Sequence, residues 1–480
     1  MQTSTSTSTR TRTRTRAVEP TETGSPLGPP PTHARAVALY AGLVVVPASI
    51  AVLLLTALPT LFGLRTGPAP APPSAAAPLG GTGGVDPFLA LLRTMPVVLI
   101  ASRVVVRGAR RLRQPESVGQ IVAGVLLGPS LLGWLWPAGY AWLFPAALAP
   151  LLDGLSQLGL VCYLFLVGYE FDTGPLRRRG ATLLTVGHAS IALPFLLGIA
   201  LAAALYRPLA PAGVPFTAFA LFLAVAMSVT AFPVLARILD EHGLSRTGLG
   251  TVALSSAAVD DITAWCLLTL VAAQSHGGGP ARTAVTVVLT LAFAAAMLFL
   301  VRPWLVRHPP NGTTAIVCGL LLSALATDAI GIHPIFGAFL YGVVLPRRSA
   351  SLTRVAGRLR AVSVPVLLPL FFVSAGLHTR FGLLGTNLRQ WAWVGLIVLV
   401  AVLGKGVGSA LAARAVGAPR REAMALGALM NCRGVTGLVV LSVGLSLGVI
   451  STACYTMLVA MALVSTAMTA PALARLGYRV

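Results

Sequence analysis

The sequence predicts an all-α polytopic membrane protein, and three observations carry that expectation: the composition, the length of the apolar runs and the placement of arginine. Hydrophobic residues make up 56% of the 480 positions and charged residues only 10%, at a mean hydropathy of +0.84. Soluble domains carry about 25% charged residues. The net charge of +22 would suit a nucleic-acid partner, but the arginines form short clusters between apolar runs, without aromatic interleaving or a basic stripe. That placement excludes nucleic acid and matches the positive-inside pattern of membrane proteins. The five cysteines each lie inside an apolar segment, with no CxxC spacing and no histidine at ligand distance, so neither a disulfide framework nor a resident metal or cofactor is expected.

A bilayer core of roughly 30 Å takes about 20 apolar residues per helix. Fourteen segments meet or approach this, near 38–63, 87–106, 118–136, 154–170, 181–205, 214–239, 247–274, 283–301, 313–328, 332–346, 362–377, 390–413, 421–446 and 453–474. Arginine tests the division, because it should concentrate on alternate sides. One side receives the N-terminal arginines, 107–113, 177–179, Arg246, Arg302 with Arg307, 347–360, 414–421 and Arg479. The other receives the Pro/Gly-rich stretch 66–86, the charge-poor loop 137–153, Arg207, the Gly-rich loop 275–282, Arg380 with Arg389, and the turn 447–452. Both termini are therefore expected on the cytoplasmic side of a multi-pass cell-membrane protein.

Residues 1–36 are rich in Ser, Thr, Arg and Pro and lack apolar periodicity, so they are expected to be a disordered tail. Residues 37–63 are expected to form an extra N-terminal transmembrane helix, joined by the linker 64–86 to the main transmembrane domain, 87–476. A cleaved signal peptide is the alternative for the first apolar run, whose length of about 26 residues exceeds a signal core of about 7 to 15. Only four residues follow Leu476, and no regulatory domain is expected after the membrane part.

Two segments make poor regular helices: SVTAFPVL around Thr230 and Pro233, and NCRGVTGL around Asn431, Gly434 and Gly437. Proline removes a backbone donor and glycine weakens a helix interior. Interruptions at matching places in two halves point to a midplane substrate site, since unwound backbone offers carbonyls and half-helix ends to an ion. Two ordinary kinks are the bland alternative.

Only thirteen acidic residues exist, nearly all at loops or helix ends. Asp260 and Asp261 are different, lying mid-segment in LSSAAVDDITAW, where a charge costs about 2.5 to 3.5 kcal/mol. Neighbours on a helix point about 100° apart and cannot share one structural partner, so a pathway role is expected. Adjacent carboxylates in a low-dielectric cavity also need a compensating cation or a proton, which suits a site exchanging protons for a small cation. Ser255, Ser256 and Thr263 lie within about a turn, and their oxygens suit hard alkali ions, although hydroxyls in membranes also bond helix carbonyls.

Lys405 is the one lysine among 35 basic residues and stands mid-segment in LVAVLGKGVGSALAA. An ammonium can lose its proton when desolvated and a guanidinium cannot. Snorkelling is the bland alternative, strained by a depth of about 14 Å at 1.5 Å per residue. Arg433 is expected to partner backbone carbonyls or Glu170, and Asp328 to cap the next helix.

These strings together resemble the sodium/proton exchanger domain of monovalent cation:proton antiporters, particularly the branch with Kef-type and plant and fungal exchangers. The similarity runs over about 87–475 and includes GQIVAGVLLGPSLLG (119–133), LFLVGYEFD (164–172), MSVTAFPVLARIL (227–239), AAVDDITAW (257–265), IHPIFGAFLYGVVLP (332–346), LLPLFFVSAGL (367–377) and MNCRGVTGLVVL (430–441). The resemblance implies an inverted-repeat antiporter fold of thirteen core helices, with a dimerisation part, a core part and two crossing discontinuous helices. It implies a homodimer that carries K+ or Na+ against protons by alternating access. Asp261 then looks like the ion- and proton-carrying carboxylate and Asp260 its lysine-paired neighbour. Lys405 looks like that partner, with Thr230 and Asn431 contributing at the crossing. Three positions depart from the pattern: Gln120 and Asp328 stand where glutamate is usual or common, and so does Gly437, after the Asn-x-Arg-Gly string. The last could alter ion preference or leave Arg433 without its usual partner.

Two other classes compete. A membrane-embedded enzyme could use paired aspartates, but a prenyltransferase needs a second Asp-rich cluster and a GxGD protease a second membrane Asp in a YD string; neither is present. A passive cation channel would have no need of a lysine beside its acidic site. No C-terminal nucleotide-binding domain is expected, and so no ligand-gated Kef-type control.

Overall fold

The computed structural model describes residues 33–64, 86–112, 114–170, 174–245, 247–275, 279–310, 312–346 and 350–478. The tail at 1–32 and the linker at 65–85 lie outside the described residues. Among the described residues all regular structure is helical.

The membrane helices are α1 (Ala34–Phe62), α2 (Pro87–Arg111), α3 (Glu116–Leu127), α4 (Ala149–Glu170) and α5 (Gly174–Leu209). They continue as the broken pair α6a (Phe216–Ser228) and α6b (Phe232–Glu241), α7 (Gly248–Ser275), α8 (Ala284–Arg307), α9 (Thr313–Ile330) and α10 (Pro334–Val344). The last are α11 (Leu352–Leu383), α12 (Leu388–Ala415), the broken pair α13a (Arg420–Met430) and α13b (Gly434–Ser446), and α14 (Thr452–Arg475). Each falls on one of the fourteen expected segments, with local differences. The segment 118–136 ends as a long helix at Leu127, because Gly128 and Pro129 follow. The loop 137–153 contains a short helix, Pro137–Leu143. The arginine-rich stretch that opens α11 is helical from Ala350, its apolar residues Leu352 and Val355 buried and Arg354 and Arg358 exposed.

The packing repeats itself between the halves, with α2 to α7 corresponding in order to α9 to α14. Helix α3 packs on α11 as α10 packs on α4; α2 packs on α3 as α9 packs on α10; α5 packs on α6a and α7 as α12 packs on α13a and α14. Two groups result. Helices α2–α4 and α9–α11 make one layer; α5–α7 and α12–α14 make the other, centred on the contact between α5 and α12. The groups meet along a thin seam, chiefly where α3 touches α13b and α14, and Arg237 of α6b forms an ion pair with Glu116 of α3 across it.

Glycine welds the first group. Gly124 of α3 and Gly376 of α11 lie backbone to backbone, as do Gly168 of α4 with Phe339 and Gly342 of α10 with Phe165. In lipid, helices associate through such close van der Waals contact. Gly376→Val is therefore expected to lower thermal stability in detergent by about 1 to 3 kcal/mol or more. Gly357→Ala, which meets nothing within 4 Å, should leave stability unchanged. Equal melting of the two variants, followed by size exclusion on heating, would contradict the weld.

The extra helix α1 lies against α5 of the second group. Tyr40 and His188 share a hydrogen bond of 3.2 Å, Arg207 donates to the Phe62 carbonyl at 3.1 Å, and Ala51 packs with Ile199 and Ala224 between them.

Candidate functional site at the crossing of two broken helices

The two breaks meet. The Ala231 N–H donates to the Cys432 carbonyl at 2.8 Å, and the Thr230 hydroxyl donates to the Met430 carbonyl at 2.9 Å. The chain leaves α6a at Val229 in an extended conformation and re-enters helix at Phe232, with Pro233 in the first turn. Proline fits there because the missing N–H would have no helical partner. Helix α13 bends by 43° across its own break.

A helix interrupted in lipid leaves its last carbonyls without donors and concentrates negative partial charge there. Two buried cations meet that need at the end of α6a. Arg433, 1% exposed, donates to the Ala226 carbonyl at 2.5 Å and to the Met227 carbonyl. Lys405, fully buried, donates to the Ser228 carbonyl and to Asp260 Oδ2 at 2.6 Å. At the matching end of α13a the donor is a hydroxyl, that of Thr230, to the Met430 carbonyl. The symmetry of the backbone is thus not matched by the charges.

Arg433 consequently takes the carbonyl alternative, and Glu170 pairs with Arg360 instead. Gly437 leaves room beside it: an added Cβ would meet only Arg433 Cβ, at 3.5 Å. Asp328 does not cap α10. His333 holds that position, accepting from the Ile335 N–H at 3.5 Å.

Asp260 and Asp261 face different surroundings, as their offset on α7 requires. Asp260, fully buried, points at Lys405 within the second group, with His188 of α5 also in its field. Asp261, 3% exposed, accepts a hydrogen bond from the backbone N–H of Phe232, the first residue of α6b. Tyr163 of α4 lies within its field from across the seam. A half-helix N-terminus is a natural anion partner. Ser256 Oγ, Asp260 Oδ1 and Asn431 Oδ1 are buried without a hydrogen-bond partner in the structure, and Asn431 donates to the Val402 carbonyl at 3.3 Å. Such oxygens can complete their bonding with a dehydrated cation or with water. Beyond Trp265, one turn along α7 from Asp261, a cavity of about 270 Å³ opens on the seam, lined by Gln157, Thr269, Asp328 and His333 among others.

Sequence reasoning missed the Ser228 carbonyl, the Phe232 amide and His188. The first two are backbone groups whose type carries no signal. His188 was visible as a histidine within an apolar segment.

The profile of the family described as Sodium/hydrogen exchanger, transmembrane matches residues 97–476. The chain belongs to that family. It is a cation:proton antiporter, a transporter and not an enzyme. It is similar to the Na(+)/H(+) antiporter NhaS4 of Synechocystis, 40% identical over 395 residues covering 80% of this chain and 96% of that one. The Cation/H(+) antiporter 17 of Arabidopsis thaliana is 38% identical over 79% of this chain. The K(+)/H(+) antiporter 1 of Saccharomyces cerevisiae is 35% identical over 75%. The matches span 47% and 43% of those two relatives. Among solved structures, the sodium proton antiporter MjNhaP1 from Methanocaldococcus jannaschii superposes with a TM-score of 0.58, at 15% identity, covering 80% of this chain and 95% of that one. At that identity the likeness speaks for the fold, the inverted-repeat arrangement of this exchanger-family chain.

Proposed function

We propose that the chain exchanges K+ or Na+ for protons by alternating access, with Asp261 binding the cation and the proton in turn. Asp260 holds Lys405 beside it, Arg433 and Thr230 fix the two half-helix ends, and Ser256 and Asn431 offer oxygen ligands. The observation that carries this reading is a buried carboxylate at the seam, bonded by a half-helix amide and adjacent to a second carboxylate already neutralised by an ammonium. A cation entering there replaces a proton as the counter-charge of Asp261, which makes the two ions competitors for one group. The relatives' names support both alkali ions, one being called a Na(+)/H(+) antiporter and another a K(+)/H(+) antiporter.

The cell membrane is the proposed location, with both termini on the arginine-rich cytoplasmic side. A homodimer formed through the glycine-welded group fits the sliding of the second group against it, because a fixed scaffold leaves the seam free to shear.

The test uses the full chain in proteoliposomes carrying an internal pH dye. An imposed K+ or Na+ gradient is expected to drive proton movement, and an outward proton gradient to drive cation uptake. Cation flux unaccompanied by proton movement would instead favour a passive channel.

A further inference from the structure

In the second group, α12, α13a and α14 enclose a groove of about 290 Å³. Its rim residues Val407, Met424 and Met468 are 44%, 57% and 47% exposed, so the groove opens toward the hydrocarbon of the bilayer. Its hydrogen-bond donors are engaged within the protein. Ser465 and Thr469 donate to helix carbonyls, Asn431 donates to Val402, and the Asn431 oxygen is covered. The donors of the lining are thus satisfied, the one unpartnered oxygen, that of Asn431, is covered from the groove, and hydrocarbon fits the apolar stripes.

The three helices share a second property. On α12 the groove stripe runs Val402, Gly406, Ala410, and the next position at helical spacing is Arg414. On α13a the stripe Asn431, Ala428, Met424 leads to Arg420, and on α14 Ala472 leads to Arg475. Residues three and four apart share a helix face, so each stripe ends in an arginine on the arginine-rich side of the membrane. All three arginines are exposed. Arg414 spends one nitrogen on the Ala418 carbonyl, and the neighbouring Arg421 is held by the Leu476 carbonyl and the Tyr478 ring. Glu422, the acid beside them, is half-buried.

We infer that this groove binds one anionic phospholipid of the arginine-side leaflet, its phosphate between Arg414, Arg420 and Arg475 and an acyl chain in the groove reaching the level of Asn431. Guanidinium groups match phosphate oxygens by bidentate hydrogen bonding, while the apolar stripes below match the chain. A lipid seated there wedges α13a against α12 and α14, directly behind the crossing, and so ties the order of the broken helix to the lipid composition of the membrane.

The full chain in mild detergent, incubated with phosphatidylglycerol and phosphatidylcholine, tests this by intact-complex mass measurement, a readout independent of transport. Wild type is expected to retain phosphatidylglycerol in preference to phosphatidylcholine. The triple variant Arg414→Gln, Arg420→Gln, Arg475→Gln should retain it on the order of 100-fold more weakly, and lysine at the three positions should restore most of the binding. Ala428→Phe, which fills the groove and keeps the arginines, should also lose the lipid. It decides alone if the triple variant does not fold. Inorganic phosphate should not displace the lipid. Retention unchanged in the glutamine variant overturns the headgroup site; retention unchanged in Ala428→Phe means surface attraction only and overturns the groove.

Discussion

Asp261→Asn is expected to reduce cation-driven proton movement to the background of empty vesicles while the protein folds and inserts normally. The amide keeps an oxygen to accept from the Phe232 N–H and keeps the volume of the carboxyl group. It loses the one buried carboxylate of the pair that has no ammonium partner, and with it the charge that a cation and a proton share. Removing one of two adjacent buried carboxylates also removes a repulsion, so the variant should melt no lower than wild type. Exchange in Asp261→Asn vesicles at the wild-type rate, under either a K+ or a Na+ gradient, would remove Asp261 from the transport cycle.

Lys405→Gln is expected to lower both stability and charge movement. The ammonium sits between Asp260 Oδ2 at 2.6 Å and the Ser228 carbonyl, at a point with no exposure to solvent. Removing one partner of a buried ion pair costs about 3 to 5 kcal/mol when the other stays charged. The double variant Asp260→Asn, Lys405→Gln should recover most of that loss, and thermal unfolding of the three variants measures the coupling. Transport gives the second readout. If cation binding at Asp261 loosens the Asp260–Lys405 pair, a proton leaves from it, and two protons per monovalent cation move one net charge per cycle. A potential then drives exchange with about 2.3 kcal/mol per 100 mV. Wild-type vesicles with no pH gradient should respond to an imposed potential, and Lys405→Gln should not. Lys405→Arg should keep the attraction for Asp260 without the proton release. A wild-type rate indifferent to the potential rules out electrogenic exchange, and an unaltered Lys405→Gln variant rules out the lysine.

Hydropathy and arginine placement located the helices because both report directly on the solvent a segment meets. They could not report the break after Leu127 or the helix at Ala350–Val362, where short amphipathic pieces carry weak averages. At the site, Asp260, Asp261 and Lys405 were visible in the sequence because ionisable groups are rare in apolar runs. Which of the two aspartates meets the lysine came only from the family resemblance and not from spacing, since it depends on which side of α7 faces α12 and which faces α4. Arg433 illustrates the limit most clearly. Its sequence neighbourhood left carbonyls and Glu170 as alternatives, and only the fold brings the end of α6a, more than 200 residues away, into its reach.

The attachment of α1 has a mechanical consequence. Its two end bonds, to His188 and Arg207, fasten it to the group containing the crossing, whereas α2, the next helix in the chain, belongs to the opposite group. Any sliding at the seam therefore carries α1 along and changes the distance from Leu64 to Asp86.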